Sequence, residues 1–163
     1  MRLTQQTSYS IQTLMYCAMN RTGPSRIRDI ARAYKISELH LFKIMHVLVE
    51  SNLIETLRGR NGGIRLARNA EKISLGEVVR AAEGSLALND CMGEPGHVCA
   101  VGANCGLGGA LNSALKAFFD VLDGYTIADM VAGSAPITVP ALGGGGRAVV
   151  PALGRRPPSP AEA

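Results

Sequence analysis

Apolar residues recur three and four positions apart in three short segments near the start of the chain, the spacing of one buried helix face. Gly23 and Pro24 end the first of these helices, because neither residue continues a helix well. We expect Ser25 to cap the second helix and Ser37 to cap the third, which runs to about Ser51. The predicted inward residues are Ile11, Leu14, Met15 and Ala18 in the first segment, Ile27, Ile30, Ala31 and Tyr34 in the second, and Leu41, Ile44, Met45 and Leu48 in the third.

Alternating apolar and polar residues follow the third helix. The alternation covers residues 54–58 and 64–66, and a cluster of glycine and asparagine separates the two runs. Two short strands around an Asn-Gly turn predict a β-hairpin. Three helices and a hairpin are typical of a winged helix-turn-helix, in which the second helix of the pair enters the major groove of DNA. Protein-binding modules use the same elements, so that alternative stays open.

Two further helices and a long helix between them are predicted beyond the hairpin. Residues 74–77 form a capping box that opens a fourth helix to about Ala82, and Gly84 stops it. A helix of about four turns starts near Leu107, and Thr126 caps a short final helix. The apolar stripe of the long helix needs a cover, for which a twin helix from a second copy is the economical choice and packing within one chain the alternative. That stripe consists of Leu111, Ala114, Leu115, Phe118 and Leu122.

Residues 134–163 have a different composition from the rest of the chain. They contain six of the eight prolines and four consecutive glycines. Such a segment buries too little apolar surface to order itself, so we expect a disordered tail.

Charge is divided unevenly along the 163 residues. Residues 1–80 hold 13 basic and 6 acidic side chains, whereas residues 81–163 hold 4 and 7. A basic half suits a polyanion such as nucleic acid, and a mildly acidic half indicates a second task. The apolar content of 47% is enough for a core. Neither a signal peptide nor a membrane span is predicted, so we expect a soluble protein of the cytoplasm.

If the winged helix-turn-helix is correct, the start of the third helix and the tip of the hairpin contact DNA. Serine and histidine can hydrogen-bond to base edges or phosphates, lysine suits phosphate or guanine, and leucine can contact a thymine methyl group. Arginine at the tip suits a minor groove or a row of phosphates. The alternative is that these residues form a solvated helix face and a flexible loop that contact no DNA. The predicted DNA contacts are Ser37, Leu39, His40, Lys43, Arg58, Arg60 and Asn61.

Three of the four cysteines lie within fifteen residues. Cys91, Cys99 and Cys105 have the spacing C-x7-C-x5-C in a glycine-rich segment. Thiols stay reduced in the cytosol, and three neighbouring thiolates suit a soft metal or an iron–sulfur cluster. Structural zinc sites use more closely spaced pairs. An incidental grouping or a redox disulfide stays open, and Cys17 in the first helix is expected to be a buried structural thiol.

Three thiolates leave a four-ligand cluster one ligand short. His97 is a local candidate, as are Asp90 and Glu94. A residue from elsewhere in the chain or from a partner subunit is the alternative.

The opening residues 1–4, the hairpin residues 55–63 and the three-cysteine segment before a long helix resemble the Rrf2 family of bacterial regulators over residues 1–133. Residues 37–44 and 117–126 are most similar to the rhizobial iron regulators of that family, and next to its nitric-oxide sensors. The resemblance implies a homodimer that binds a palindromic operator. It also implies a [4Fe-4S] or [2Fe-2S] cluster held by Cys91, Cys99 and Cys105. In some nitric-oxide sensors an aspartate of the partner's first helix is the fourth ligand, and Ser8, a poor ligand, occupies that position here.

The sequence therefore predicts a mainly α protein. Residues 1–83 form the winged helix-turn-helix domain, 84–106 the cysteine-rich cluster-binding loop, 107–133 the dimerisation helix with a short final helix, and 134–163 the tail. The predicted function is cluster-dependent regulation of iron-responsive genes, most often repression, with loss or assembly of the cluster as the signal. A nitric-oxide-sensing repressor and an iron–sulfur carrier are the alternatives. An enzyme is disfavoured, because the chain has neither a C-x-x-C motif nor a nucleotide-binding glycine pattern after a strand.

Overall fold

The computed structural model of the chain describes residues 2–20, 23–59, 62–84, 86 and 106–134, together with the backbone of 137–139 and 147–149. The described part is mostly helical with a small two-stranded sheet, as the sequence predicts. No helix in these ranges has the length and apolar character needed to cross a bilayer. The elements are α1 Gln5–Met19, α2 Ile27–Tyr34, α3 Glu38–Glu50, β1 Ile54–Leu57, β2 Gly63–Leu66, a 3-10 helix Ala70–Lys72, α4 Leu75–Glu83, α5 Gly106–Asp123, α6 Ile127–Val131, β3 Ile137–Val139 and β4 Arg147–Val149.

Helix α1 lies at the centre of the core. It packs against α2, α3, α4, α6 and β2. The short helix α6 therefore joins this core, to which Ile127 and Val131 contribute, although the sequence groups α6 with the long helix. Each fully buried aliphatic side chain contributes roughly 1.5–3 kcal/mol relative to exposure. The large side chains with almost no exposed area are Leu14, Met19, Ile30, Leu41, Leu48, Leu53, Ile54, Ile64, Ile73, Val78, Val79 and Ile127.

The buried face of α1 is rotated relative to the predicted one. Leu14 is fully buried as expected, but Ile11, Met15 and Ala18 are only partly buried. Those three residues pack against the edge of the core, because hydroxyl residues occupy much of the most deeply buried face. The buried residues of α1 are Thr7, Ser10, Thr13, Leu14, Tyr16, Cys17 and Met19.

Two of these buried hydroxyls are satisfied within the helix itself. Ser10 Oγ donates to the carbonyl oxygen of Gln6 at 2.8 Å, and Thr13 Oγ1 donates to that of Tyr9 at 2.7 Å. A hydroxyl that bonds to the preceding turn can be buried without an unpaired polar group. A prediction from the spacing of apolar residues treats serine and threonine as exposed. It therefore assigns the buried face of α1 to a different side of the helix.

Backbone pairing, rather than capping, explains the position of Ser25. The cap of α2 is Arg26, which makes no side-chain capping bond, so the prediction for Ser25 is wrong. Ser25 N donates to the Ile64 carbonyl at 2.7 Å, and Ile64 N donates to the Ser25 carbonyl at 2.9 Å. A Cβ on Gly63 would lie 2.5 Å from the Ser25 carbonyl oxygen, so glycine permits this close approach.

The hairpin and the caps of α3 and α6 confirm their predictions. Strands β1 and β2 are antiparallel, with Ile54 opposite Leu66 and Leu57 opposite Gly63. Ser37 Oγ accepts the N–H of His40, and Thr126 forms a full capping box with Asp129.

The start of α4 and the length of α5 differ in detail from expectation. Ser74 Oγ accepts the N–H of Glu77 at 3.1 Å, but the Glu77 carboxylate pairs with Arg68 instead of closing the box. Gly84, with φ 68°, ends α4 as predicted. Helix α5 has 18 residues, longer than the four turns expected, and none of its residues is buried.

Part of the tail pairs as backbone. Strands β3 and β4 are antiparallel, with Ile137 opposite Val149 and Val139 opposite Arg147. Both strands lie within the predicted tail, where β-branched Ile137, Thr138 and Val139 favour an extended backbone. The rest of 135–163 lies outside the described residues.

Candidate nucleic-acid interface

A tight turn joins α2 to α3. Lys35 ends α2 in the left-handed conformation with φ 55°, and its N–H donates to the carbonyl of Ala31. Ile36 N donates to the same carbonyl at 3.0 Å, and the Ile36 side chain is buried. The chain then enters α3 at Ser37. Two helices joined by so short a turn, with Ile36 buried within it, form the helix-turn-helix that the sequence predicts.

Helix α3 has one buried face and one exposed face. Leu41, Ile44 and Leu48 are buried, and this side packs against α1, α2, α4 and β1. All four predicted DNA contacts of this helix, Ser37, Leu39, His40 and Lys43, are exposed. The structure therefore brings these four residues together on one accessible surface at the start of α3.

Ser37 and His40 form a local pair at the start of that surface. Ser37 Oγ lies 2.8 Å from His40 Nδ1 and also accepts the His40 backbone N–H. When the hydroxyl donates to Nδ1, the imidazole hydrogen is on Nε2, which can then donate to an external acceptor. Ser37 thus acts as a cap that orients His40, and its own hydroxyl is already engaged.

Arg28 and Glu38 connect the exposed sides of α2 and α3. Arg28 Nε lies 3.6 Å from Glu38 Oε1, and both side chains are largely exposed. Sequence reasoning did not select Arg28, because its role depends on how α2 crosses α3. Phe42 and His46, which precede and follow Lys43 in the chain, are also exposed on α3 and are not among the predicted contacts.

The tip of the hairpin is only partly described. Arg58 is exposed directly after β1, whereas Arg60 and Asn61 lie outside the described residues. A Cβ on Gly62 would lie 2.9 Å from the Gly59 carbonyl oxygen, and Gly59 has φ 108°. The turn therefore requires glycine at both positions.

The predicted cluster ligands also fall largely outside the described residues. Cys91, Cys99, Cys105 and His97 lie there, as do Asp90 and Glu94. The described part of the chain holds no group of three or more His, Cys, Asp or Glu side chains arranged to bind a metal. Ser8 is described and is exposed in the first turn of α1.

Glu83, the last residue of α4, contacts the start of α1. Its Oε1 accepts the Thr4 backbone N–H at 2.7 Å, the Thr4 hydroxyl at 3.1 Å and the Thr7 hydroxyl. Burial raises the pKa of Glu83, but the hydrogen bonds from Thr7 and Thr4 outweigh it and leave the pKa below its ordinary value. The residue just before the cysteine-containing segment is therefore a carboxylate bound to the N-terminus of α1.

Cys17 is a structural thiol, as predicted. Its side chain is buried in the core beside Ser25. Burial raises the pKa of Cys17 to about 12, and a hydrogen bond with Ser25 only partly opposes that effect. A thiol with such a pKa is protonated at neutral pH and is unreactive.

Helix α5 carries an apolar stripe with incomplete cover. Leu111, Leu115, Phe118 and Leu122 are partly buried, while Leu107 and Val121 are 58% and 59% exposed. Within the described residues, α4 supplies the main contact to α5. The described part of one chain therefore leaves much of this helix accessible.

Comparison with known proteins gives a consistent result. The Rrf2 family, described as "Iron-dependent Transcriptional regulator", matches residues 3–133. Protein aau3 of Rhizobium meliloti is 54% identical over 132 residues, which cover 80% of this chain and 85% of that protein. The HTH-type transcriptional regulator NsrR of Geobacillus kaustophilus is 45% identical over 132 residues, covering 80% and 90%.

Solved structures have the same fold. IscR of T. potens has a TM-score of 0.64 and 26% identity, with 80% of this chain and 86% of that chain covered. CymR, the global cysteine regulator of B. subtilis, has a TM-score of 0.64, with 80% of this chain and 95% of that chain covered. Its identity of 23% supports the fold alone.

Proposed function

Because the chain belongs to the Rrf2 family of DNA-binding transcriptional regulators, which are not enzymes, we propose that it is an iron–sulfur-dependent repressor of iron-responsive genes. The observation that carries this proposal is the position of the three-cysteine segment. It joins the end of α4 to the start of α5, and Glu83 at its entrance is bonded to α1, the central helix beneath α3. We expect the protein to act in the cytoplasm, where operator DNA is found.

Helix α3 is proposed to enter the major groove. Its exposed start offers His40 and Lys43 for hydrogen bonds and Leu39 for an apolar contact, while Ser37 orients His40. Arg58, together with Arg60 and Asn61, is proposed to contact phosphates or the minor groove from the wing. Both contacts require a positively charged protein surface, because DNA is negatively charged. The excess of basic side chains in residues 1–80 provides that charge.

A homodimer is proposed through α5. Its partly covered apolar stripe would be buried by the same helix of a second copy, in a symmetric interface. Two copies related by a two-fold axis present two α3 helices, which suit half-sites roughly 34 Å apart on one face of DNA. A palindromic operator has that symmetry.

Cys91, Cys99 and Cys105 are proposed to hold the cluster as thiolates. Three soft sulfur donors in one segment fit a [4Fe-4S] or [2Fe-2S] cluster. When bound, the cluster supplies a group that responds to iron supply, oxygen or nitric oxide. Ser8 and His97 are the candidate fourth ligands. Ser8 is exposed, and the residue before it, Thr7, bonds to Glu83 at the entrance of the segment.

The chain's own residues provide a route from the segment to α3. Three thiolates bound to one cluster would restrict residues 91–105, and with them the end of α4 and the start of α5. Glu83 at the end of α4 is tied to α1, and α1 packs under α3. The orientation of α5 relative to α1 would then determine whether the two α3 helices match the half-site spacing.

A nitric-oxide-sensing repressor is the second candidate. The 45% identity to NsrR over 132 residues favours it. The two candidates differ in signal, not in architecture, so the same experiment separates them.

The test uses anaerobically purified full-length protein and an operator selected from a random duplex library. Absorbance and native mass spectrometry follow the cluster during titration with an iron chelator or with nitric oxide, and fluorescence anisotropy follows DNA binding in parallel. We expect iron and sulfide in the wild type and in the control Cys17→Ala, because Cys17 is buried in the core. Cys99→Ala should lose the cluster and the response of DNA binding.

Two results would overturn the cluster proposal. One is wild-type protein that contains neither iron nor sulfide. The other is Cys99→Ala protein whose operator binding responds to chelator as the wild type does. Release of DNA by nitric oxide but not by chelator would select the second candidate.

A further inference from the structure

Large apolar side chains are exposed on the outer side of α3. Leu39 is 69% exposed and Phe42 is 54% exposed, and both lie on the first turns of the helix. The core does not need them, because Leu41, Ile44 and Leu48 already fill the opposite face. Apolar surface left in water is unfavourable, and a grouped pair indicates a surface that is covered in use.

The polar groups beside this pair are already engaged with one another. Ser37 bonds to His40, and Glu38 pairs with Arg28. The start of α3 thus presents fewer free hydrogen-bonding groups than its sequence suggests. Beside His40 Nε2 and Lys43, it offers the carbon surfaces of Leu39 and Phe42 to a base edge.

Exposed basic residues lie on the elements that flank the apolar pair. Lys43 follows Phe42 on α3, Arg28 on α2 pairs with Glu38, the residue before Leu39, and Arg58 follows β1 in the wing. This arrangement suits a polyanion better than a protein surface. The phosphates would contact the basic side chains, while Leu39 and Phe42 contact the bases. DNA is therefore the occupant for which the charges argue.

The major groove offers one apolar group to such a surface, the C5-methyl of thymine. Leu39 and Phe42 are three residues apart, so they lie on the same side of the helix. Their separation along the axis is roughly 4.5 Å, close to one base-pair step of about 3.4 Å. The pair can therefore reach thymines on adjacent or nearly adjacent base pairs.

We propose that Phe42 and Leu39 determine sequence specificity by contacting the methyl groups of two neighbouring thymines in each operator half-site. The proposal rests on the proposed operator binding and adds the base chemistry that it reads.

The test replaces each thymine of the selected operator in turn with deoxyuridine, which lacks the methyl group and keeps the base pair. Anaerobic full-length protein is titrated by fluorescence anisotropy. At two neighbouring positions in each half-site we expect about a fourfold loss of affinity, equivalent to about 0.8 kcal/mol for one buried methyl-sized group. Other thymines should tolerate the change.

Two variants and one control connect the effect to the residues. Phe42→Ala should abolish discrimination between thymine and deoxyuridine at one position, and Leu39→Ala at the other. Val49→Ala is the matched control, because Val49 is an exposed apolar residue at the far end of α3 and is 42% exposed. It should retain full discrimination. Because the three side chains are exposed, thermal unfolding should confirm that each variant is folded.

The outcomes separate this proposal from the proposed function. If the wild type binds its operator but ignores every deoxyuridine, the methyl contact is wrong and the DNA-binding function stands. If no selected duplex is bound in any cluster state, the proposed function itself fails. If Phe42→Ala changes the oligomeric state and leaves discrimination intact, the surface is a protein contact and the proposal is overturned.

Discussion

Arg80 on α4 forms a two-point hydrogen bond with Asp123 at the end of α5, with Nη1 2.8 Å from Oδ1 and Nη2 2.5 Å from Oδ2. The Phe119 ring lies under the same guanidinium, 4.2 Å from its carbon, and Ser74 Oγ donates to Asp123 Oδ1 at 3.2 Å. These contacts fix the end of α5 on α4. At its other end, α5 begins directly after the cysteine-containing segment.

Removing this carboxylate should loosen α5. Isolated exposed ion pairs contribute at most about 1 kcal/mol, but a two-point geometry with a stacked ring belongs at the upper end of that range. We expect Asp123→Ala to lower the melting temperature by a few degrees, on the order of 4 °C per kcal/mol. It should also weaken operator binding, since α5 no longer holds one orientation.

Asp120→Ala is the matched control for that variant. Asp120 lies on the same helix and pairs with Lys116, at 3.0 Å, in an exposed pair one turn apart. Its loss should cost about 0.3–0.5 kcal/mol and leave DNA binding unchanged. Equal effects of the two variants would show that the contact between α4 and α5 has no special role.

The same contact predicts a loss of stability in acid. The hydrogen bonds from Arg80 hold the pKa of Asp123 below its ordinary value of 3.8, against the opposing effect of burial. A carboxyl group with a lowered pKa in the folded state stabilises the protein above its unfolded pKa, and this stabilisation disappears as pH falls through the folded value. The melting temperature of the wild type should therefore fall below about pH 4. Asp123→Ala should show a shallower fall over that window, and parallel curves would exclude Asp123 as a source of the effect.

Gly76→Ala should destabilise the protein although alanine favours helix. A Cβ at Gly76 would lie 2.8 Å from Asp123 Cγ and closer still to Oδ1. The usual gain of about 1 kcal/mol for glycine to alanine inside a helix is therefore reversed by the clash. In the double variant Gly76→Ala/Asp123→Ala the clash with the carboxylate is removed. Only Arg80 Nη1, at the end of a long side chain, would remain close at 3.1 Å, so alanine should become neutral or stabilising relative to Asp123→Ala alone. Additive effects in a thermal double-mutant cycle would contradict this account.

Local signals in the sequence predict much of this fold correctly. The cap by Ser37, the hairpin around residues 58–62 and the capping of α6 by Thr126 each depend on a few adjacent residues. Their chemistry is therefore visible without the tertiary structure. The buried thiol of Cys17 is also predicted, because a free cysteine in a helix is most often a buried structural residue.

What the sequence does not predict depends on distant partners. Ser25 is predicted as a cap because serine commonly caps helices. In the fold its backbone instead forms two hydrogen bonds with the backbone of Ile64, which is distant in sequence. Arg80 and Asp123 are 43 residues apart, and the residues next to either one in the sequence do not indicate that the two side chains pair. Phe42 was not selected as a contact residue because only the packing of α3 shows that its ring faces outwards.

Arg58 offers a direct test of phosphate contact by the wing. Each phosphate neutralised by the protein steepens the salt dependence of binding, so Arg58→Ala should reduce the slope of log affinity against log salt by about 1. Arg65→Ala is the control, because Arg65 lies on β2 and is paired with Glu55. It should change the slope less. A wild-type slope in Arg58→Ala would mean that Arg58 does not contact phosphate.

Glu83 tests whether the cysteine-containing segment communicates with α1. Its carboxylate accepts the Thr4 N–H at the start of that helix, where a negative charge is favourable by about 0.3–1 kcal/mol. Glu83→Gln retains the size and an acceptor oxygen but removes the charge, whereas Glu83→Ala removes both. We expect hydrogen exchange in the first turn of α1 to rise in the order wild type, Glu83→Gln, Glu83→Ala.

Operator binding distinguishes communication from a purely local effect of Glu83. The proposed ligands are Cys91, Cys99 and Cys105, so Glu83→Ala should retain iron and sulfide while its DNA affinity becomes less sensitive to chelator than that of the wild type. Glu71→Ala, in the exposed 3-10 helix, is a control that should retain full sensitivity. If Glu83→Ala increases exchange in α1 but leaves the chelator response intact, Glu83 stabilises α1 alone and the signal reaches α3 by way of α5, through Arg80 and Asp123.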